Sequence, residues 1–406
     1  MYKRFWLFLT LLISINAVAQ EKTQWVTLLD SMQNEKDFNK KKFQLNQIAD
    51  EIIQQWKQSS IDEIKSLSNK LSIAKSEDGK IGVIVYWAIT YANTLQIDWL
   101  VKEDFTGNGK IWHFKKEVKV KPSKTYPKLF ATIVDDNINQ FYNLTISNHA
   151  GRVYVTTEDL LTNCWFENLF IQESDAAKDS INSILLGRLN KLWKNPGLFE
   201  SELTGLNRMK TILSDDKKVK ISTYNIEKEG FKHEFYGAVL TKTQGVVKVY
   251  NLTDASDDIR SPERASLNEK KWYGAIYLDI IEAKYKDKTY YTLIGYKGHD
   301  EFVKTRLLDV LIIQNNRLRF GVPVFKEDRL TRNRMIYQYS AGATMMMRYD
   351  DKMKMIVMDN LVPTESFYKG VYRFYGPDFS YNGFKFQKGH WEFIEEIDLR
   401  NPKINH

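Results

Sequence analysis

The chain has 406 residues, a formal charge of +8, 43% hydrophobic residues and one cysteine. That content supports two or three ordinary domains or one large repeat domain. A lone Cys164 excludes an intramolecular disulfide, and a modest charge with no recognisable basic module argues against nucleic acid as a partner.

Residues 1–19 read as a cleavable signal peptide. Lys3 and Arg4 form the positive start, Phe5 to Ile15 is an apolar run, and Ala17-Val18-Ala19 offers the small residues of a cleavage site. The run is well short of the roughly 20 residues that cross a bilayer. The mature chain is expected to start at Gln20, to carry no transmembrane helix, and to be periplasmic or secreted. Its end, Asn401 to His406, shows no dedicated C-terminal secretion domain, which favours the periplasm.

A weak repeat follows, with a spacing of roughly 137 to 138 residues, the kind of self-similarity that marks duplicated units. Copy one begins with a helical segment over 20–75, in which Ile48, Ile52 and Trp56 are followed by Ile61, Ile64, Leu67 and Leu71. Copy two repeats it over 174–212 with Leu185, Leu189 and Trp193, followed by Phe199, Leu203, Leu206 and Met209. A polar turn then opens a strand in each, at Ser76 to Ile81 and at Ser214 to Val219. Two further strands match, Leu95 to Val101 with Phe235 to Val239, and Gly109 to Phe114 with Gly245 to Tyr250 across a two-residue gap.

The β repeats span 76–173 and 213–325, and a C-terminal β-meander fills 326–406. In the last part of copy two, Trp272 to Ile281 and three later runs read as strands, with Asn315-Asn316 as a tight turn. In the C-terminal meander, Val371 to Tyr375, Ser380-Tyr381 and Phe384 to Gln387 read as separate strands, with Asn382-Gly383 and Lys388-Gly389 as turn dipeptides. The expected class is mainly β with two helical segments, built of duplicated antiparallel meanders. Propeller blades and stacked sheets both fit this pattern.

Ser214 to Asn225, Tyr291 to Gly298, Arg319 to Phe325 and Phe374 to Gly383 together resemble a family of exported Bacteroidota proteins of unknown function. The resemblance covers most of the mature chain. It implies export and names no chemistry.

Catalytic and metal motifs are sparse. The six histidines lack zinc-ligand spacing, and His233-Glu234 has Gly237 where a zincin would place its second histidine. No Gly-x-Ser-x-Gly elbow occurs, although a triad gathered from distant segments stays open. Cys164, in a strand-like run, reads as a buried core residue. The loops Glu103 to Gly109 and Asp254 to Asp258 read as turns in preference to calcium loops. Lys115, Lys116, Lys119, Lys121, Lys124 and Lys128 read as a lysine-protected edge strand in preference to an anion-binding strip.

Tyr375, Asp378 and Tyr381 are the candidate ligand-binding residues, because two aromatic faces and a carboxylate flank Gly376-Pro377 in what reads as a rigid loop. No metal or cofactor is expected. The functional expectation is a non-enzymatic binding or cell-envelope-associated protein with a glycan or an envelope protein as partner. The alternative is a hydrolase acting on glycan or peptide with residues drawn from several loops.

Overall fold

The structure is a computed structural model, which describes residues 24–398 apart from 33–34, 78–79, 92–93, 104–109, 121–127, 137–140, 149 and 299. The expected signal peptide and the turn expected at Asn108-Gly109 therefore lie outside the described residues. The chain is mainly β and divides into two compact units, Met1–Cys164 and Trp165–His406. No helix among the described residues is long and apolar enough to cross a membrane.

Unit one opens with α1 (Gln24–Met32), α2 (Phe38–Trp56) and α3 (Ile61–Leu67). Asp37 caps α2 by accepting the amides of Asn39 and Lys40, and Ser60 and Glu63 close a capping box on α3. Leu45, Ile48, Ile52 and Trp56 form the buried stripe of α2, which packs on Ile84, Tyr86 and Leu100. Those three belong to a meander of β1 (Ser72–Lys75), β2 (Ile81–Tyr91), β3 (Thr94–Glu103) and β4 (Ile111–Lys119), paired in that order. A three-stranded sheet follows, of β5 (Leu129–Asp136), β6 (Phe141–Asn148) and β7 (Val153–Thr157).

The helix α4 (Leu160–Phe170) runs through the division between the units. Cys164 lies within it, fully buried, so the strand expected there is a helix. Most of its positions are buried, with Thr162, Asn163 and Asn168 among them, so the segment has no clear polar face and its periodicity alone cannot be told from that of a buried strand.

In unit two, α5 (Asp175–Lys194) precedes β8 (Lys210–Leu213), β9 (Val219–Glu227), β10 (His233–Thr243) and β11 (Val246–Thr253), again a four-stranded meander. Next come β12 (Ile276–Tyr285), β13 (Lys288–Gly298), β14 (Val303–Gln314) and β15 (Arg317–Phe320). The last group is β16 (Phe325–Glu327), β17 (Leu330–Arg332), β18 (Met335–Ser340), β19 (Met347–Asp350), β20 (Met355–Pro363), β21 (Tyr375–Gln387) and β22 (His390–Ile394). Of these, β18 joins the β12–β15 sheet through β14, and the others form a six-stranded sheet with one parallel contact, β16 to β22.

The two four-stranded meanders share one register. Ser72 pairs with Val85 as Lys210 pairs with Thr223, Ile81 with Glu103 as Val219 with Thr241, and Asp98 with Lys115 as Tyr236 with Thr253. The spacing stays constant through all four strands, so the two-residue gap placed before the last strand is absent. Matching Gly109 to Gly245 sets the fourth strands two residues out of this register. The opening turn is also built twice, since the hydroxyls of Ser76 and Ser214 accept the amides of Ile81 and Val219 at 2.8 and 3.0 Å. Tyr86 and Tyr224 occupy one repeat position and are both buried.

Helix stops well short of the expected limits. Residues 72–75 and 210–213 are strands, and the second helix of copy two is replaced by a single 3-10 turn, Pro196–Leu198. Asn195 ends α5 and Pro196 starts the turn, because a proline cannot continue the hydrogen-bond ladder. Phe199, Leu203, Leu206 and Met209 are nonetheless buried, so their spacing recorded burial in irregular chain.

Three strand limits also differ. Trp272 touches Asp254 as an isolated bridge, with β12 starting only at Ile276, and Tyr372–Phe374 is a 3-10 turn. Asn382-Gly383 makes no turn but lies inside β21, opposite Met358 and Val357. A Cβ on Gly383 would come within 2.2 Å of the Ile356 carbonyl, so this glycine serves close strand approach. By contrast Asn315-Asn316 and Lys388-Gly389 are tight turns with positive φ at both residues.

At the centre of unit two, Asp309 on β14 and Arg334 beside β18 are both fully buried and form an ion pair at 2.7 Å. Removing one partner leaves a buried charge uncompensated. Arg334→Met should therefore lower the unfolding free energy in urea by about 3–5 kcal/mol, whereas a loss near zero would show that the pair holds nothing together.

Candidate functional site

Tyr375, Asp378 and Tyr381 all lie in β21, in a strand instead of the expected loop. Main-chain pairing to β20 overrides the local preference of Gly376-Pro377, since Val362 and Leu361 take these two residues as partners. The ladder breaks between Asp359 and Leu361, and opposite Asn360 the strand β21 bulges over Asp378, Phe379 and Ser380. One oxygen of Asp378 accepts the Ser380 amide at 3.0 Å and its hydroxyl at 2.7 Å. The other accepts Asn360 Nδ2 at 2.9 Å. These hydrogen bonds, the Ser380 hydroxyl first, hold the Asp378 carboxyl below its ordinary range.

The carboxylate thus clamps the bulge, and the consequence is Phe379. It stands 89% exposed at φ +67°, a conformation a bulky residue rarely takes. Tyr375 and Tyr381 do not converge with Asp378. Tyr375 packs beside the cluster of Phe384 and Trp391, and its hydroxyl accepts the Gly370 amide at 2.9 Å. Tyr381 packs instead with Met355, Val357 and Ile397. In the connection from β20 to β21, Phe367 and Tyr372 are exposed, and Tyr368 stacks on Phe374 at 3.9 Å. Nothing in the sequence marked Phe379, because its exposure comes from the register break.

A second site, in unit two, contains His233 and the Asp254 to Asp258 turn, which the sequence weighs only as metal ligands. A cleft of about 1250 Å³ in unit two is walled by the start of β10, the end of β11 with the connection after it, and the end of β13. Asp254 organises that connection. Its Oδ1 accepts the Ser256 amide at 3.0 Å, the Ser256 hydroxyl at 2.5 Å and the Gly274 amide at 3.1 Å, while Oδ2 accepts the Phe235 amide at 3.2 Å. Only glycine fits at 274, where a Cβ would lie 2.5 Å from the Asp254 carboxyl carbon. The turn expected over Asp254 to Asp258 is present, as a 3-10 turn at Ser256–Asp258.

Lys297 reaches this turn from β13. Its Nζ donates to Ser256 Oγ at 2.7 Å and to the Gly274 carbonyl at 3.1 Å, and lies over the rings of Phe235 and Tyr273 at 4.3 and 4.9 Å. Burial disfavours the charged amine and lowers its pKa to about 8, against a smaller opposing pull from Asp254. Beside it, His233 Nδ1 accepts from Asn225 at 2.9 Å, and burial lowers its pKa as well. Its ring fits against β13 because residue 298 is glycine.

Of the lysine strip, Lys115, Lys116 and Lys119 fall on β4, which pairs only with β3 among the described strands, and Lys128 lies just before β5. Lys115 is bonded to Asn46 and Lys119 to Thr94, the latter at 2.9 Å, while Lys121 and Lys124 lie outside the described residues. No known protein-family model matches the chain, and no curated protein matches it.

Lys297 makes stability depend on pH with a definite sign. Its folded pKa lies below the ordinary 10.5, so between about pH 8 and 10.5 the unfolded chain binds more protons and folding gains as pH rises. Thermal midpoints of the wild type and Lys297→Met, measured from pH 7 to 10, should show the wild type gaining on the variant above pH 8. A constant difference would mean that Lys297 titrates alike in both states.

Proposed function

We propose that the protein is an exported binding protein of the cell envelope that docks a partner protein through Phe379 and the aromatic surface at the end of β20 and β21. The observation that carries this is the exposed, positive-φ phenylalanine fixed by the Asp378 clamp. A bulky side chain in that conformation opposes folding, and such strain clusters at sites of recognition. A convex aromatic held on a rigid strand suits a concave pocket on a partner, the usual form of an interface anchor. Asp378 and Asn360 give Phe379 a polar margin, and Phe367 and Tyr372 are further exposed aromatic side chains in the connection that leads into β21.

The docking reading is tested by placing a photo-crosslinking phenylalanine analogue at 379 in the exporting cell and identifying the envelope protein it captures. Purified with that partner, Phe379→Gly should lose at least about tenfold in affinity, as expected of an aromatic anchor. Its thermal midpoint should hold or rise, since glycine relieves the positive φ. Unchanged affinity would remove Phe379 from the interface.

A further inference from the structure

We propose that the face of unit one formed by α2 and β4 docks on an anionic lipid leaflet, with its lysines at the phosphate headgroups and Phe43 at the acyl boundary. The face shares no residue with the Phe379 surface and takes from the docking reading only the placement of the chain in the cell envelope. Failure of Phe379 to bind a partner protein therefore leaves it standing.

The helix gives the lysine strip its neighbours. Lys115 donates to Asn46 and Lys42 pairs with Glu117 at 2.5 Å, so α2 and β4 run past each other in opposite directions. An open groove of about 280 Å³ lies there, lined by Lys42, Asn46, Gln96, Lys115, Lys116 and Glu117, three cations to one carboxylate. At the end of β4, Arg152 donates to the Lys119 carbonyl at 3.4 Å and adds a guanidinium. Lys115 and Lys119 donate to an amide and a hydroxyl oxygen, so these bonds leave their charges unneutralised. Of the carboxylates nearby in sequence, Glu35 is paired with Lys40 at 2.8 Å, Asp37 is engaged in capping α2, and Asp50 lies a helical turn beyond Asn46. The groove thus presents a positive field.

Phe43 selects among anionic partners. It is 62% exposed, adjoins Lys42 in the chain and stands three residues before Asn46, on the neighbouring part of the helix surface. Phe38, one turn before Lys42, is 37% exposed. A hydrated polyanion has no place for a bare ring. A bilayer takes the ring below its headgroups while the lysines keep their ammonium groups at the phosphates. Lysine on an edge strand protects against sheet pairing, but that protection needs neither Lys42 nor an exposed phenylalanine on the helix.

The second copy shows that the framework does not require this face. Where copy one has Lys42, Phe43 and Asn46, the matching helix has Asp179, Ser180 and Ser183. Lys115 and Lys116 are matched by Thr253 and Asp254. Copy two keeps the buried helix stripe and the four-stranded meander with acids at these positions and no ring.

The test is co-sedimentation of the mature protein with vesicles of phosphatidylcholine, alone or with a third phosphatidylglycerol. Only the anionic vesicles should carry the protein down, and in about 1 M salt, where the screening length falls to about 3 Å, partitioning should drop at least about tenfold. Lys115→Gln with Lys116→Gln should lose at least about tenfold at low salt, since each cation near an anionic surface contributes about fivefold. Phe43→Gln should lose at least about fivefold with every charge kept. Both variants replace exposed side chains, so their thermal midpoints should stay within a few degrees of the wild type. A wild type that ignores the anionic vesicles, or a folded double lysine variant that binds them as before, would overturn the proposal. So would wild-type binding by Phe43→Gln, because lysines that act without the ring define a site for a soluble polyanion such as an acidic protein.

Discussion

The buried pair of Asp309 and Arg334 is the constraint around which unit two is arranged. Two charges with no exposure to water persist only when each other and nearby polar groups offset the loss of solvent. Asp309 Oδ1 accepts the amides of Val310 and Gly321 at 2.8 and 3.0 Å, and Arg334 donates to the Pro262 carbonyl at 2.6 Å. The pair thereby ties β14, the turn after β15 and the long connection before β12 to one point. Gly321, at φ +75°, comes so near the Ala265 carbonyl that a Cβ would lie 2.3 Å from it. The same arginine lies over Tyr273 at 5.3 Å, and Lys297 lies over that ring at 4.9 Å. Through this ring the ion pair positions one wall of the cleft.

The duplication explains which parts of this arrangement are shared. Both units carry a helix stripe on a four-stranded meander with one register, so the framework repeats. The chemistry does not. The positions of Phe235 and Asp254 are held by Ile97 and Lys116 in copy one, where no equivalent of the Asp254 turn can form. Function in such folds resides in the connections, which diverge while strand pairing is kept. Copy one places polar groups elsewhere, with buried Asp98 bonded to His113 at 2.8 Å and to Gln96 at 2.7 Å.

Much of the fold was legible because its signals are local. The alternation in Ile81, Val83 and Val85, the serine that opens each meander, and the Asn315-Asn316 turn each depend on a few neighbouring residues. Errors arose where a distant strand overrode a local preference. Asn382-Gly383 has the composition of a turn, yet β20 takes it as strand, and Gly376-Pro377 is drawn into the same ladder. The apolar residues from Phe199 to Met209 keep helical spacing in irregular chain, where Leu203 stands at φ +50°, outside the right-handed helical region. For the sites the limit is sharper. Ser256 and Lys297 are separated by 41 residues and sit in a turn and a strand without any motif, so only the fold brings them together. Asp378 reads from the sequence as a ligand contact, while the hydrogen bonds by which it clamps the bulge at Phe379 depend on a register break that no single strand encodes.

The central claim is that the fold of unit two holds a lysine dry against two rings and a serine. The most direct measurement is an NMR titration of the Lys297 side chain in the intact protein, with its signal assigned by the loss seen in Lys297→Arg. The account predicts a midpoint near pH 8, with the signal sensitive to Arg334→Met. A midpoint at the ordinary 10.5 would contradict it, because a lysine that titrates as in water is not held in the environment described.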